Sequence, residues 1–528
     1  MKTKIILGPP GTGKTEYLLR KVEEQLEAGI KANRIGYFAY TVKAANEART
    51  RAMSKFSFLD KKDFMYFRTL HSLAFKQLGL TKDDVMKDNH YKELSGLLGI
   101  KLSNTNRKMD STGFQLQDDV FAKVIDMARV RNISLKEQFH EMPPMEGGWL
   151  KIKYIADGIK EYKKTRKLYD FTDMIIEFSN STKEEIVPKL DVLIIDEAQD
   201  LLPIQWKMVK KIMDKAGEIY IAGDDDQSIF KWAGANPNDL ISLPGERFIL
   251  DKSHRVPAAV HKIATKIINK VENRIPKVWV PKTRPTRYGL IPDAEGINHG
   301  TVKHHVTRMS VYEQMQRDKG QWLVMTRDNY TLEQVADEMK TRGFYFSMYG
   351  QPSVSKKRLK AIMTWTNIAK NKKAVPLDDV RTMYHYMTVR KGVAYGHKGL
   401  IHADPDKLYT YEDLTVYHGL LIPSHRIWHH ALDRMPAHEV TYIVSLLRRK
   451  EKLNEDPRIN LSTIHGAKGG EADNVALLAD LPRKADEAYG QDPDNERRVF
   501  YVGMTRTKKN LHLVRSDTDR EFREMFYD

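Results

Sequence analysis

Cysteine is absent from the 528 residues of this chain. That excludes a disulfide scaffold, a Cys-ligated zinc site, an iron–sulfur cluster and a thiol nucleophile, and it leaves the redox compartment open. Long apolar runs are missing too. No stretch approaches the roughly 20 consecutive apolar residues that a bilayer-spanning helix needs, so an integral membrane protein is excluded. Met1 to Leu7 runs straight into a strand-like segment, without the basic, apolar and small-residue regions of a signal peptide. A cytoplasmic protein is therefore expected. Short-period repeats and low-complexity tracts are not found. Apolar residues make up 41% and charged residues 30%, the balance of a folded globular chain. At roughly 150 residues per domain, the length suggests three or four domains.

Acidic charge is the scarcer sign. Lys and Arg number 87 against 70 Asp and Glu, a formal net charge of +17. Residues 350–410 hold 12 Lys/Arg against 4 Asp/Glu, and residues 255–310 hold 11 against 3. Either cluster reads as a solvated helical face or, more sharply, as a track for a phosphate backbone. The overall excess favours a polyanionic partner, most simply nucleic acid.

Lys4-Ile5-Ile6-Leu7 predicts a strand, and Gly8-Pro9-Pro10-Gly11-Thr12-Gly13 a turn-rich loop. Lys14 to Glu27 carries Tyr17, Leu18, Val22 and Leu26 at helical spacing. Arg34 to Tyr40 predicts a second strand, and Val42 to Lys55 a second helix. Further short apolar runs occur at 192–195, 219–222, 322–325, 475–478 and 511–514. Such runs alternating with helices indicate α/β architecture with parallel sheets. Two mainly helical stretches, about 80–165 and 370–455, interrupt the alternation and read as insertions into two α/β cores.

The loop from Gly8 to Thr15 fits G-x-x-x-x-G-K-[ST], after a strand and opening a helix as the motif requires. Its glycines let backbone N–H groups approach phosphate oxygens, and the helix N-terminus favours the anion. Lys14 would reach the β- and γ-phosphates of a nucleotide, and the Thr15 hydroxyl would ligate Mg²⁺. Asp196-Glu197 follows the apolar run at 192–195. There Asp196 would hold Mg²⁺ and Glu197 would orient or deprotonate the attacking water. After the next strand, Gln227 could sense a γ-phosphate, and Phe230 and Trp232 beside Lys231 suit stacking on unpaired bases. Spacing favours the core for Phe230 and less so for Trp232. Arg506 would be a surface arginine in isolation; facing a nucleotide, it would stabilise charge in phosphoryl transfer.

Taken together and in order, these segments resemble the UvrD/Rep/PcrA branch of superfamily-one DNA helicases. The resemblance adds Phe38 to Ala45, Thr69-Leu70-His71-Ser72, Asp170-Phe171-Thr172-Asp173, Asp196-Glu197-Ala198-Gln199-Asp200, Gly223 to Ala235, Ser253-His254-Arg255, Ser462 to Glu471 and Glu496 to Thr507. It implies two RecA-like P-loop motor domains with parallel sheets, each carrying a mainly helical insertion. The first would comprise 1–79 and 166–248 with 80–165 inserted; the second would comprise 249–370 and 456–528 with 371–455 inserted. ATP would lie between them. The resemblance assigns Arg255 and Arg506 to the γ-phosphate, Glu471 to the ribose, and His254 to the position of the family's adenine-stacking aromatic. It places Tyr40, Phe230 and Trp232 on base-stacking positions. Thr41, His71, Thr463 and His465 fall near the DNA backbone or the coupling path.

The implied function is an ATP-dependent helicase and translocase on single-stranded DNA and duplex–single-strand junctions, moving 3′-to-5′. The alternative is a translocase that mainly displaces bound proteins and unwinds weakly. A non-catalytic ATP switch is opposed by the intact Glu197, Gln227 and Arg506. A small-molecule kinase would need neither the final arginine-bearing helix nor the aromatics. A fused nuclease is not expected, since 22 residues follow Arg506. The chain departs from the family pattern in lacking an upstream glutamine motif, in His254, in Ala233 after the tryptophan, and in a short second insertion.

Overall fold

The computed structural model describes residues 2–39, 41–56, 59–102, 120–282 and 299–527. They form two compact units, 1–311 with 464–528 and 312–463. The first unit is built on strands β1 (Lys2–Leu7), β2 (Ile35–Phe38), β3 (Phe67–Arg68), β4 (Val192–Ile195), β5 (Glu218–Gly223) and β6 (Glu246–Ile249), in the order β3-β2-β4-β5-β1-β6. All pairings are parallel. All four residues of β4 are buried, as a central parallel strand covered on both faces requires. On one face Ile6, Ile194, Tyr220 and Ala222 pack with Leu18, Leu19 and Val22 of helix Lys14–Glu27 and with Ala45, Ala48 and Ala52 of helix Val42–Lys55.

The register sets the geometry that matters. Leu7 pairs with both Gly223 and Ile249, and Ile195 pairs with Ile221. The loops after β1, β4, β5 and β6 therefore leave the sheet at one edge, the carboxyl edge where open α/β sheets bind ligands.

The helices of the 80–165 stretch include Asp88–Leu98, Val120–Arg131 and Gly148–Arg166. A part-buried ion cluster ties the last two of them to the helix that follows, Phe171–Asn180. Asp170 caps helix Phe171–Asn180, and both Asp170 and Asp173 bind Arg129 (2.7 Å each) and Lys163 (2.8 and 2.7 Å). Removing one partner of such a buried pair strands the other charge, at a cost of about 3–5 kcal/mol.

The first unit also holds β7 (Thr301–His305), with two later strands that pair in parallel, Ala472–Leu478 and Thr507–Val514, and the helices Ala258–Ile268 and Pro493–Met504. The second unit contains β8 (Trp322–Thr326), β9 (Phe346–Met348), β10 (Gln351–Pro352) and, after a helical stretch, strand Ile459–Thr463. That last strand pairs in parallel with β8 and β9, and β10 closes antiparallel on β9. The helical core of this unit draws from both sides of residue 370, uniting Trp365 and Ile368 with Val380, Tyr384, Leu432 and Ile443. The expected α/β class with parallel sheets is the one found. Among the described residues, no helix is long and apolar enough to cross a membrane.

Candidate active site and nucleic-acid interface

The loop after β1 is shaped by its own backbone. Gly8 N–H donates to Gly223 O at 3.0 Å, Thr12 Oγ1 donates to Pro9 O at 2.8 Å, and Ser253 Oγ donates to Pro10 O at 2.8 Å. Gly13, at φ 80°, starts helix Lys14–Glu27 with no side-chain cap. No side chain caps the first turn among the described residues, and the helix start can receive an anion.

Gly11 sits at φ +73°, and a Cβ built there would lie 2.6 Å from Arg255 Cβ and 2.9 Å from Ser253 Oγ. Left-handed backbone costs a non-glycine residue about 1–2 kcal/mol even without a clash. Gly11→Ala is therefore expected to lower the melting temperature and to weaken nucleotide binding together, as read by thermal unfolding and by titration of a fluorescent ATP analogue. An unchanged affinity would contradict the close approach of the two loops.

Lys14 is buried, and its Nζ donates to Gly8 O at 2.9 Å and lies 3.9 Å from Glu197 Oε1. Thr15 Oγ1 donates to Asp196 Oδ2 at 3.0 Å, and Tyr37 OH donates to the same oxygen at 2.9 Å. Burial, then the neighbouring Glu197 carboxylate, raise the Asp196 pKa to about 6. Glu197 itself has φ 54°, the left-handed conformation that a non-glycine residue adopts only under constraint. That turn brings its carboxylate to Gln199, whose Nε2 donates to Glu197 Oε2 at 2.6 Å. Burial opposes its charge, but Lys14, Lys468, the Gln199 amide and Arg506 outweigh burial and hold its pKa at about 2.

The far side of the site comes from the later segments. Arg506 ends its motif beyond helix Pro493–Met504, and its Nη2 donates to Gln227 Oε1 at 2.8 Å. Burial, then Arg255, lower the Arg506 pKa to about 9, which leaves it charged at neutral pH. His254 N–H donates to Gly11 O at 2.8 Å, and the exposed His254 ring lies beside Gly13. Arg255 Nη1 lies 3.5 Å from Glu471 Oε2, and its buried Nε has no acceptor among the described residues. Glu471 also pairs with Lys508 at 2.6 Å. The structure thus gathers Lys14, Thr15, Asp196, Glu197, Gln227, Arg255 and Arg506 around one glycine loop.

Two residues without a role in the sequence reading prove central. Gln199 bridges Glu197 and the backbone, its Oε1 accepting from Asp224 N–H at 3.0 Å. Lys468 Nζ donates to Asp200 Oδ1 at 2.5 Å and to Gln227 O at 2.6 Å, and stands 5.0 Å above the Phe230 ring. Both lie inside the motifs quoted above, which was the available signal.

The aromatic group is split by burial. Trp232 is 43% exposed, whereas Phe230 is 1% exposed and set edge-on to it at 6.4 Å. Phe230 therefore packs beside the exposed Trp232 ring and presents no face of its own. His465 lies 6.1 Å from the Phe230 ring and 6.3 Å from Trp232, and its Nε2–H donates to Ile229 O at 3.2 Å. Thr41 and His71 lie on other elements. Thr41 Oγ1 caps helix Val42–Lys55 by accepting from Ala44 N–H at 3.1 Å. His71 packs against Phe171 at 5.8 Å, and burial lowers its pKa to about 4, so it is neutral at pH 7. Thr463 ends its strand in the second unit. Tyr40 lies outside the described residues.

Two family models match the chain: the UvrD/REP helicase N-terminal domain over residues 1–246, and the UvrD-like helicase C-terminal domain over residues 433–518. Among curated relatives, the ATP-dependent DNA helicase UvrD2 of Mycobacterium tuberculosis is 23% identical across 96% of this chain and 76% of its own length. The ATP-dependent DNA helicase PcrA of Staphylococcus aureus is 21% identical across 70% of this chain and 52% of its own length. The ATP-dependent DNA helicase Rep of Salmonella typhimurium is 26% identical across 50% of this chain and 40% of its own length.

Proposed function

We propose, for a chain that belongs to the UvrD/Rep/PcrA-like helicases and hydrolyses ATP as a DNA helicase, a motor that travels 3′-to-5′ on single-stranded DNA and opens duplex at the junction ahead. The observation that carries this reading is the contact of Arg506 with Gln227, 2.8 Å, in a loop that exposes Trp232 five residues later. One loop then faces both nucleotide and strand.

In this reading the glycine loop and Lys14 hold the phosphates, and Arg255, whose buried Nε has no acceptor among the described residues, reaches the γ-phosphate with Arg506. Thr15 and Asp196, 3.0 Å apart, are the hard oxygen donors that would hold Mg²⁺, which would neutralise charge on the phosphates. Glu197, kept ionised by its cationic neighbours, orients the attacking water. Gln227 senses the γ-phosphate, and Glu471 contacts the ribose. Closure around ATP and reopening after hydrolysis move the base-stacking group along the strand. Residues 1–79, 166–248, 249–370 and 456–528 form the two motor domains, with 80–165 and 371–455 as their insertions. The protein acts inside the cell, with its DNA.

The experiment is the ATPase rate without nucleic acid and with single-stranded DNA, duplex DNA and single-stranded RNA. Strand separation then follows, on 3′- and 5′-tailed duplexes with and without a protein roadblock. Stimulation by single-stranded DNA and opening of 3′-tailed duplex support the reading. Efficient roadblock clearance with little unwinding would replace it by protein displacement.

Nucleotide choice gives a second test. His254 stands beside Gly13, where stacking on the base needs no polar match. Comparing kcat/KM for ATP and GTP should give a preference below about 100-fold; a larger one requires buried polar groups that read adenine.

A further inference from the structure

Three consecutive aspartates follow β5. Asp224 and Asp225 are 0% exposed and Asp226 is 1% exposed. Buried carboxylates at such spacing repel one another and need cations. One ammonium reaches all of them: Lys277 Nζ lies 3.2 Å from Asp224 Oδ1, 2.5 Å from Asp225 Oδ1 and 3.0 Å from Asp226 Oδ2. Arg274 adds a two-pronged contact to Asp226, with Nε at 2.8 Å and Nη2 at 2.6 Å. The backbone joins in. Ile275 N–H donates to Asp225 Oδ2 at 2.9 Å, and Arg498 donates to the carbonyls of Asp225 (3.1 Å) and Asn273 (2.6 Å). Burial pulls the Lys277 pKa down, but the three carboxylates outweigh it and raise it above the ordinary lysine value.

This cluster is one hydrogen bond from the reaction site. Asp224 gives one oxygen to Lys277 and the other to Gln227, whose Nε2 donates to Asp224 Oδ2 at 2.6 Å. The opposite end of the same amide accepts from Arg506 at 2.8 Å. Gln227 is thereby oriented: a flip would turn its NH₂ to a guanidinium and its oxygen to a carboxylate. Arg498, which grips the Asp225 carbonyl, belongs to helix Pro493–Met504, and Arg506 follows that helix.

From this geometry we propose that Lys277, assisted by Arg274, is a positioning residue for ATP hydrolysis: through Asp224 it fixes the orientation in which Gln227 meets the γ-phosphate. The inference rests on the reading of Gln227 as the γ-phosphate sensor. An anchor with a purely structural role would act on stability alone, whereas a positioning residue acts on turnover only while Gln227 is present.

A double-mutant cycle on the full chain separates these. DNA-stimulated ATP hydrolysis and melting temperature are measured for Gln227→Ala, Lys277→Met and the pair. Unchanged turnover in Gln227→Ala would remove the sensor role itself, whatever Lys277 does. With that role intact, Lys277→Met should lower kcat about ten- to hundredfold, as small misplacements of reacting groups do. The KM for ATP should move far less, and the substitution should add little on top of Gln227→Ala. Equal fold-losses in both backgrounds, or a parental kcat in Lys277→Met, would overturn the proposal. Should Lys277→Met fail to fold, Lys277→Gln is measured in the same cycle, since it removes the cation that holds Asp224 while keeping a polar group among the aspartates. A kcat loss confined to the Gln227-containing background supports the proposal, and a parental kcat or an equal loss in both backgrounds overturns it.

Discussion

Lys14→Ala and Glu197→Gln are expected to part nucleotide binding from chemistry. Lys14 is the buried cation of the glycine loop, with its Nζ 2.9 Å from Gly8 O and 3.9 Å from Glu197. Its loss removes the charge proposed to meet the β- and γ-phosphates, so ATP affinity and turnover should fall together. Glu197→Gln keeps the shape and loses the charge. The side chain is held from outside the phosphate site, by Gln199 at 2.6 Å, so ATP should bind within a few-fold of the parent. Turnover should fall by about 10²–10⁴, the range for a removed proton acceptor. The Gln variant should then stay on DNA in its ATP-bound form, which filter binding with and without ATP would show. Equal loss of ATP affinity in the two variants would sink both assignments.

The elements that carry this site were legible because they are apolar, short and central. Helices Lys14–Glu27 and Val42–Lys55 and strand β4 have the predicted limits, since each is bounded by glycine, a capping residue or charge. Strands β6 and β7 were not legible. They read Glu-Arg-Phe-Ile and Thr-Val-Lys-His-His, and mostly face solvent, so no apolar run marks them. The motif residues gave the identity of the groups but not their partners. Lys468 meets Asp200 across 268 residues of sequence, and Lys277 meets Asp225 across 52. Such pairings depend on where the chain crosses back over the sheet, which spacing in one sequence does not encode. The ambiguity over Phe230 has the same origin: only the packing of His465 and Lys468 around it distinguishes a core ring from a platform.

That distinction sets the expectation for Trp232→Ala, which should uncouple hydrolysis from movement. Trp232 rides on a tight turn in which Ala233 N–H donates to Phe230 O at 2.9 Å. Phe230 and Ala233 are both 1% exposed, so the turn is anchored without the indole. Trp232→Ala should therefore fold, whereas Phe230→Ala should lose about 3–5 kcal/mol as a core truncation. Trp232 connects to the nucleotide side by two routes. Along the chain it lies five residues from Gln227; through space it meets His465 at 6.3 Å, in the loop whose Lys468 holds Asp200 and the Gln227 carbonyl. Loss of the base-stacking platform proposed for Trp232 would weaken the grip on single-stranded DNA by about 1–3 kcal/mol. At saturating DNA the ATPase rate should largely survive, because Lys14, Glu197 and Arg506 keep their places. Base pairs opened per ATP should fall much further, since each cycle then slips. The check is the ratio of unwinding to hydrolysis at saturating DNA, read beside the melting temperatures of Trp232→Ala and Phe230→Ala. A Trp232→Ala protein as unstable as Phe230→Ala would make the indole a core residue. A stable one with parental unwinding per ATP would place the strand elsewhere on the molecule.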